Sequence, residues 1–315
     1  MQVARRLQAV GREVRIFEKA RGASGRLSTR RSDLGDFDHG AQYFTARSPV
    51  FRSQVEDWVG RGVAARWTPR VVRLRSGEPV AEDRGSERYV GLPGMSGLAR
   101  DLRRDLEIEL GVRIVSADWQ AGRWTLRSED EVEYGPFSDL VLAVPAPQAV
   151  PLLAECPELL RAVEGVPMLP CHAVMARFGE PLDVDFDAAF VESEALAWVA
   201  RAASKPGRED LPCWTLHSQA AWSEAHLEME PGQVAHAQLE ALAVATGRPL
   251  PEVSFSATHR WLFARTGKPL LTRTVFDSEK RLGLCGDWVQ GDRVEDAYLS
   301  AERLVAEMAP SGPSD

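Results

Sequence analysis

The chain has 315 residues, of which 44% are hydrophobic and 27% charged, and its formal net charge is −8 at pH 7. This length suffices for one large or two medium domains with their own cores. Basic residues are scattered among acidic ones, which argues against a nucleic-acid partner. No apolar run approaches the roughly 20 residues of a membrane helix, and the opening residues lack the pattern of a signal peptide. We therefore expect a cytoplasmic protein without a membrane partner.

The cysteines do not form a metal or disulfide pattern. They lie at long, uneven spacings, and no C-x-x-C pair occurs: Cys156, Cys171, Cys213 and Cys285. The six histidines likewise show no tight ligand pair. We expect four reduced thiols and no metal site.

The first segment predicts a helix followed by a strand. Val3, Leu7 and Val10 share one helical face, and Gly11 can supply the C-terminal cap. Residues 13–18 then predict a short strand. This order is the second half of a β-α-β dinucleotide-binding unit, in which an acidic residue at the end of the second strand, here Glu18, binds ribose hydroxyls. An ordinary solvated glutamate is the alternative.

Two further motifs follow Glu18. Residues 22–31 form a basic loop whose glycines let backbone N–H groups approach an anion and whose Arg26 or Arg30 can clamp a phosphate. A plain surface loop explains the same residues equally well. In the next motif, Gly40 predicts a close approach of the backbone to something bulky. Asp38 and His39 are candidates for a general acid or base, although a single histidine is more often merely hydrogen-bonded.

The middle of the chain predicts first α/β and then antiparallel structure. A helix carrying Met95, Leu98, Leu102 and Leu106 precedes a strand at 112–115, a hairpin turn at 120–123 and a buried strand at 140–145. From residue 166 to 263, partly alternating strands at 171–178, 195–201, 213–217 and 253–261 are interrupted by helices near Ala220 and at 233–245. They predict a separate α+β domain, which a helix and strand between 49 and 80 join.

The last motif is the most informative. A strand at 281–286 delivers Gly286 and Asp287, and a helix with a clear apolar stripe begins near Val294 and ends at Met308. Asp287 can accept hydrogen bonds from sugar or ribityl hydroxyls, and the helix N-terminus suits the negative edge of a reduced flavin. A capped helix with an aspartate in its turn is the alternative. Residues 310–315 are expected to fray.

Five segments together resemble the renalase-like flavoproteins of the amine-oxidase and phytoene-desaturase superfamily. They read E-K-x-R-G-x-x-G-R-x-x-T-R-R from 18, F-D-H-G-A-Q-Y-F-T-A-R from 37, S-K-P-G-R from 204, H-R-W from 259 and G-D-W-x-x-G-x-R-V-E-x-A from 286. The resemblance runs through the whole chain in order. It implies an α/β fold in which a Rossmann-type FAD-binding domain is interleaved with an α+β substrate domain on a mixed or antiparallel sheet. The FAD-binding domain would comprise residues 1–48, 89–150 and 264–315, and the substrate domain residues 49–88 and 151–263.

The resemblance also implies roles for single residues. Glu18 would hold the adenosine ribose, Arg26 would lie near the pyrophosphate, Val115 near the adenine, and Asp287 at the ribityl–phosphate region. The full set of implied FAD-binding residues is Glu18, Lys19, Gly25, Arg26, Gln42, Val115, Gly286, Asp287, Val294 and Glu295. The pocket candidates are Trp198, Trp214, His259 and Trp261, each explained equally well as a core aromatic residue. No catalytic base is identified.

The implied reaction passes a hydride from a small-molecule substrate to FAD and then to dioxygen, which gives hydrogen peroxide. Renalases act on misreduced nicotinamide dinucleotides and restore NAD(P)+. An amine or polyene oxidase of the same superfamily is an alternative, and a cofactor-free remnant is another.

The sequence departs from the family pattern at two places. The family opens with a strand and G-x-G-x-x-G, whose N–H groups cradle the pyrophosphate, whereas residues 1–10 match only the helix that follows that loop. Either the true start lies upstream, which we expect, or the gene product lacks the loop and binds FAD weakly. Ser24 also stands where the family usually has glycine.

Overall fold

The computed structural model describes residues 1–75, 78–82, 85, 87–270 and 275–309. Within them the helices are α1 (Gln2–Ala9), α2 (Pro49–Gly60), α3 (Ser96–Leu102), α4 (Ala146–Ala149), α5 (Pro157–Glu164), α6 (Ala220–Ala225), α7 (Pro231–Thr246) and α8 (Val294–Met308). None of these is long and apolar enough to cross a membrane. The predicted fraying at 310–315 lies outside the described residues.

Strands occur in most parts of the described chain. They are β1 (Ile16–Glu18), β2 (Thr29–Arg30), β3 (Phe37–Asp38), β4 (Ala64–Trp67), β5 (Val71–Arg75), β6 (Glu78–Glu82), β7 (Arg88–Gly91), β8 (Ile108–Leu110), β9 (Ile114–Gln120), β10 (Arg123–Ser128), β11 (Glu133–Phe137), β12 (Leu140–Leu142), β13 (Met168–Phe178), β14 (Ala188–Val191), β15 (Trp198–Arg201), β16 (Cys213–His217), β17 (Val253–Thr266), β18 (Phe276–Asp277) and β19 (Leu282–Leu284).

The chain divides into two compact units, each built from separate stretches. Unit 1 comprises Met1–Ala23, Ala99–Met168 and Arg265–Asp315, and unit 2 comprises Ser24–Leu98 and Leu169–Ala264. By packing, residues 24–48 and 89–98 belong with unit 2, and residues 151–168 with unit 1. The assignment of cofactor and substrate to the predicted domains remains a prediction.

Unit 1 contains parallel strand pairs and an antiparallel meander. β1 pairs with β8 and β12 with β19, both parallel, and β9, β10 and β11 form the meander. The predicted hairpin turn is confirmed, because Ala121 and Gly122 join β9 to β10 with φ angles of 49° and 74°, as a type I′ turn requires. β9 begins two residues later and runs further than the predicted strand at 112–115.

Helices α1 and α8 pack together in unit 1 around Leu7 and Leu304. Glu302 on α8 accepts hydrogen bonds from Gln2 Nε2 at 2.6 Å and from Arg6 Nε at 2.9 Å. Val10, which was predicted to share the helical face of Val3 and Leu7, lies outside the helix, since α1 ends at Ala9 and Val10 is 61% exposed.

Unit 2 is built on a seven-stranded mixed sheet with the strand order β17-β13-β16-β15-β14-β5-β6. The β14–β5 pair is parallel, whereas β13–β16, β15–β16 and β14–β15 are antiparallel. The predicted strands at 171–178 and 253–261 both continue further, as β13 and β17. The predicted helix through Leu106 ends earlier, as α3, at Leu102.

The two faces of this sheet differ. Alternate residues such as Leu74, Val199 and Leu216 pack with Val234 and Leu242 of α7 in the main core of unit 2. Because side chains alternate along a strand, the residues between them lie on the opposite face, called the site face below. It carries Arg73, Phe190, Trp198 and His217.

Candidate functional site

A buried carboxylate, Asp38, ties three separate segments of unit 2 together. Its Oδ2 accepts hydrogen bonds from Lys205 Nζ at 3.2 Å and from Arg208 Nη2 at 2.7 Å. Its Oδ1 accepts from Thr29 Oγ1 at 2.7 Å and from the Met95 backbone N–H at 2.9 Å. Two of the recognised motifs, F-D-H-G and S-K-P-G-R, therefore meet at one carboxylate.

The charges in this cluster fix its protonation. The side chains of Asp38, Lys205 and Arg208 are only 1–2% exposed. Burial alone would raise the pKa of Asp38, but Lys205 and Arg208 outweigh it and lower the pKa to about 2. Asp38 is therefore ionised and serves as the counter-charge of Lys205 and Arg208, which disfavours the predicted role as a general acid or base.

Gln42 and Gly40 also have structural partners. The Gln42 side-chain amide donates to the Asp38 carbonyl, and its Oε1 accepts from Lys205 Nζ at 3.1 Å. A Cβ on Gly40 would lie 2.1 Å from the Arg26 carbonyl oxygen, and the Ala41 N–H donates to that same oxygen at 2.9 Å. The predicted close approach at Gly40 is thus to the backbone of the basic loop.

The basic loop is a short turn in which Gly25 has the φ angle of +51° that favours glycine. Ser24 has φ −98° and ψ −16°, a conformation that needs no glycine, so its departure from the family pattern is structurally tolerated. Arg26 Nη1 donates to the Ala264 carbonyl at 3.0 Å.

Aromatic rings cluster on the site face. Trp198 lies 5.6 Å from Tyr43 and 4.7 Å from Phe190, and Tyr43 lies 5.8 Å from Trp67, measured between ring centroids. We call these four residues the aromatic cluster. Trp198 is 7% exposed, and its Nε1 is buried without a partner among the described residues.

Protein cations cover three of these rings. Arg88 lies 5.2 Å from the centroid of Tyr43, Lys205 lies 5.7 Å from Trp67, and Arg73 lies 5.0 Å from Phe190. The negative ring faces that would attract an external cation are thus already matched to side-chain cations of the chain itself.

His39, His259 and Trp261 form a second group in unit 2, called the His–Trp platform. The His39 ring stacks on Trp261 with 5.4 Å between centroids and a 19° interplanar angle, and His259 meets both rings edge-on. The His39 carbonyl accepts from Trp261 Nε1 at 2.8 Å and from His217 Nε2 at 3.2 Å.

The histidines of this region are neutral near pH 7. Burial, together with the neighbouring His259, lowers the pKa of His39 to about 4. Burial likewise lowers the pKa of His217 to about 4 and lowers that of His259. The Nδ1 atom of His39 is buried and has no hydrogen-bond partner among the described residues.

Trp214 does not join the other pocket candidates. It opposes Arg201 across β15 and β16, whereas Trp198 opposes His217. Directly opposite residues share a face. Because Trp198 and Arg201 are an odd number of positions apart on β15, they and the residues opposite them lie on different faces of the sheet. Trp214 accordingly lies in the helix-covered core, 1% exposed and next to Phe186.

Glu18, Lys19 and Val115, three of the predicted cofactor residues, lie in unit 1. Glu18 ends β1 and is half-buried, and its Oε1 accepts from the Ala20 N–H at 2.8 Å. Lys19 is exposed, and Val115 on β9 is 40% exposed.

The last motif turns sharply from β19 into α8 in unit 1. Gly286 donates to Ser300 Oγ at 3.0 Å, and the buried Asp287 opens a single 3₁₀ turn. Asp296 accepts from the Asp292 and Arg293 N–H groups, both at 3.1 Å, and so caps α8. The N–H groups of Val294 and the buried Glu295 come next, in the first turn, where a helix has no internal acceptors.

Comparison with known proteins gives the class of the chain. Residues 79–309 match the family model described as flavin containing amine oxidoreductase. The chain belongs to this family. Residues 1–58 of this flavin-containing oxidoreductase also match a model described as an NAD(P)-binding Rossmann-like domain. The family makes the protein an FAD-dependent oxidoreductase, as predicted.

Two solved structures share this fold. A candidate protoporphyrinogen oxidase from Exiguobacterium sp. 255-15 is 13% identical with a TM-score of 0.73, over 98% of this chain and 94% of that one. A putrescine oxidase triple mutant, redesigned at its cofactor site, is 12% identical with a TM-score of 0.71, over 98% and 95%. At this identity they show the shared fold and nothing about substrate.

The residues of the oxidoreductase fit FAD. Glu18 and Asp287 supply carboxylates at the carboxyl ends of parallel-paired strands, where dinucleotides bind. Gln290, beside the start of α8, has a buried Nε2 donor with no partner among the described residues, which suits an acceptor such as a flavin carbonyl. Sequence reasoning missed Gln290, because a glutamine in a short loop carries no distinctive signal.

Proposed function

We propose that this oxidoreductase oxidises misreduced nicotinamide dinucleotides to NAD(P)+, with dioxygen as the final oxidant. When bound, FAD would supply the redox chemistry: it would accept the hydride, and its two electrons, with a proton from solvent, would reduce dioxygen to hydrogen peroxide. Glu18, Asp287, Gln290 and the N-terminus of α8 would hold it. The proposal extends to these roles and to those of the other predicted cofactor residues.

The main support is the charge of the site face. The rings of Tyr43, Trp67 and Phe190 each lie about 5–6 Å from a protein cation. The charge of Lys205 is already matched by Asp38, but a further cation close to Arg73 or Arg88 would be repelled. A substrate that carries phosphate is attracted by the same charges, whereas an ammonium ion of an amine substrate is not.

Proton chemistry gives a second argument. Oxidation of a dihydronicotinamide removes a hydride and leaves a pyridinium ring, so no proton has to be taken from the substrate. An alkylammonium must first lose a proton to a base. Asp38 is unsuited to that role, because its carboxylate already accepts four hydrogen bonds. His39 is a weak base, because burial lowers its pKa to about 4.

Anaerobic flavin reduction tests the proposal. Protein loaded with FAD is mixed with a misreduced dinucleotide, with the ordinary 4-dihydro form, or with putrescine, and the loss of oxidised-flavin absorbance is followed. We expect the misreduced form to react at least about tenfold faster than the others at equal concentration, which corresponds to 1.4 kcal/mol. Faster reduction by the amine would refute the proposal, and free FAD serves as the control for reaction outside the protein.

A further inference from the structure

The exposed Arg30 lies beside the His–Trp platform and has no role in the fold described above. It ends β2, which pairs with β3 so that Arg30 stands directly opposite Phe37. Among the described residues, Arg30 forms no ion pair and no side-chain hydrogen bond. A cation that serves no internal contact is free to meet a ligand.

The strand geometry places Arg30 on the side of the platform. Directly opposite residues of an antiparallel pair point to the same face, so Arg30 and Phe37 share one. The Phe37 ring lies 5.9 Å from that of Phe255 on β17. Because side chains alternate along β17, His259 and Trp261 lie on the same side as Phe255. The charge of Arg30 also lowers the pKa values of His39 and His259, as expected for a nearby cation.

We propose that Arg30 is a specificity-determining residue that binds a phosphate of the dinucleotide substrate, whose ring lies against the His–Trp platform. The proposal rests on the proposed function. A guanidinium binds two phosphate oxygens at once through its parallel N–H groups. The rings of the His–Trp platform are neutral, so Arg30 supplies the positive charge beside them that attracts an anionic ligand.

The platform is held rigidly enough to serve as a ring-binding surface. The His39 main chain is fixed by the Trp261 and His217 side chains, and His39 stacks on Trp261. A fixed surface of flat rings loses little conformational freedom when a planar ligand binds. Arg30 and the platform together therefore match a ligand that carries a flat ring and a phosphate a short distance apart.

The test compares Arg30→Gln with the wild type and with Arg31→Gln, a matched control that removes the next exposed arginine. Each FAD-loaded protein is given a misreduced dinucleotide and the corresponding nicotinamide riboside, which has no phosphate, in anaerobic flavin reduction. NAD+ binding is measured separately by quenching of tryptophan fluorescence. We expect Arg30→Gln to weaken dinucleotide and NAD+ binding about tenfold, the effect of one charge-assisted hydrogen bond. The limiting reduction rate and riboside binding should not change.

Salt dependence gives a second readout. Dinucleotide binding by the wild type should weaken as ionic strength rises, and this dependence should be shallower in Arg30→Gln. Equal effects of Arg30→Gln on dinucleotide and riboside, or equal effects of the two arginine variants on the dinucleotide, would overturn the assignment of Arg30. Flavin reduction by neither ligand in the wild type would instead overturn the proposed function, so the two failures are distinguishable.

Discussion

Replacement of Asp38 by asparagine should destabilise unit 2 strongly, because it leaves Lys205 and Arg208 buried without a counter-charge. The side chains of both cations are 2% exposed. The pKa of Asp38, about 2 against an ordinary 3.8, corresponds to roughly 2 kcal/mol of favourable interaction. Breaking a buried ion pair from one side costs about 3–5 kcal/mol. We therefore expect Asp38→Asn to lose about 3–5 kcal/mol of unfolding free energy at pH 7.

Urea denaturation followed by tryptophan fluorescence measures this loss. Asp38→Asn combined with Lys205→Met should be more stable than Asp38→Asn alone, because one uncompensated cation is removed. Glu192→Gln is the matched control: Glu192 also contacts an arginine, Arg75, but both side chains are exposed, so its removal should leave stability nearly unchanged. A loss below about 1 kcal/mol for Asp38→Asn, or a double variant no more stable than the single one, would refute the reasoning.

Three further outcomes are expected. Gly40→Ala should lower the melting temperature and disturb the basic loop, since its Cβ would lie 2.1 Å from the Arg26 carbonyl oxygen. Gly60→Ala is the control and should do neither, because no atom lies within 4 Å of its Cβ. Equal melting temperatures of the two variants would contradict this prediction. Stability should fall as pH drops from 6.5 towards 4, because His39 and His217 have pKa values of about 4 when folded and 6.5 when unfolded, so the unfolded chain binds more protons there. The groups that act on them are His259, Asp38 and Arg30 for His39, and Lys205 and His39 for His217. His39→Phe should flatten this dependence in acid denaturation curves, and an unchanged slope would count against it. Trp198→Phe should raise the KM for the dinucleotide, while Trp214→Phe should lower stability and leave KM unchanged; a KM effect of Trp214→Phe would contradict its place in the core.

Features with a local cause were predictable from the sequence. The turn at Ala121-Gly122 needs two left-handed residues, and the stripe of α8 repeats at helical spacing with Tyr298, Leu304 and Met308 buried. The mixed sheet of unit 2 was likewise predictable from partial alternation and from the two helices that interrupt it. Strand ends were less so, since β13 and β17 are lengthened by pairing between distant segments.

The ion-pairing role of Asp38 could not be predicted, because its partners are remote in the sequence. Lys205 and Arg208 follow it by 167 and 170 residues, and no spacing rule connects such positions. The difference between Trp198 and Trp214 was hidden for another reason. Both are tryptophans in buried strands, and only the side on which α7 packs decides which of them faces the core.

The discontinuity of the two units has a consequence during synthesis on the ribosome. The last stretch of unit 2 ends at Ala264, whereas unit 1 also needs the stretch that begins at Arg265. Unit 2 can therefore form its complete sheet before α8 of unit 1 has been synthesised. Until then Val3 and Leu7 of α1 lack the apolar cover of Leu304 and Met308. The nascent chain thus presents an uncovered apolar helix face, which favours chaperone binding over early native folding.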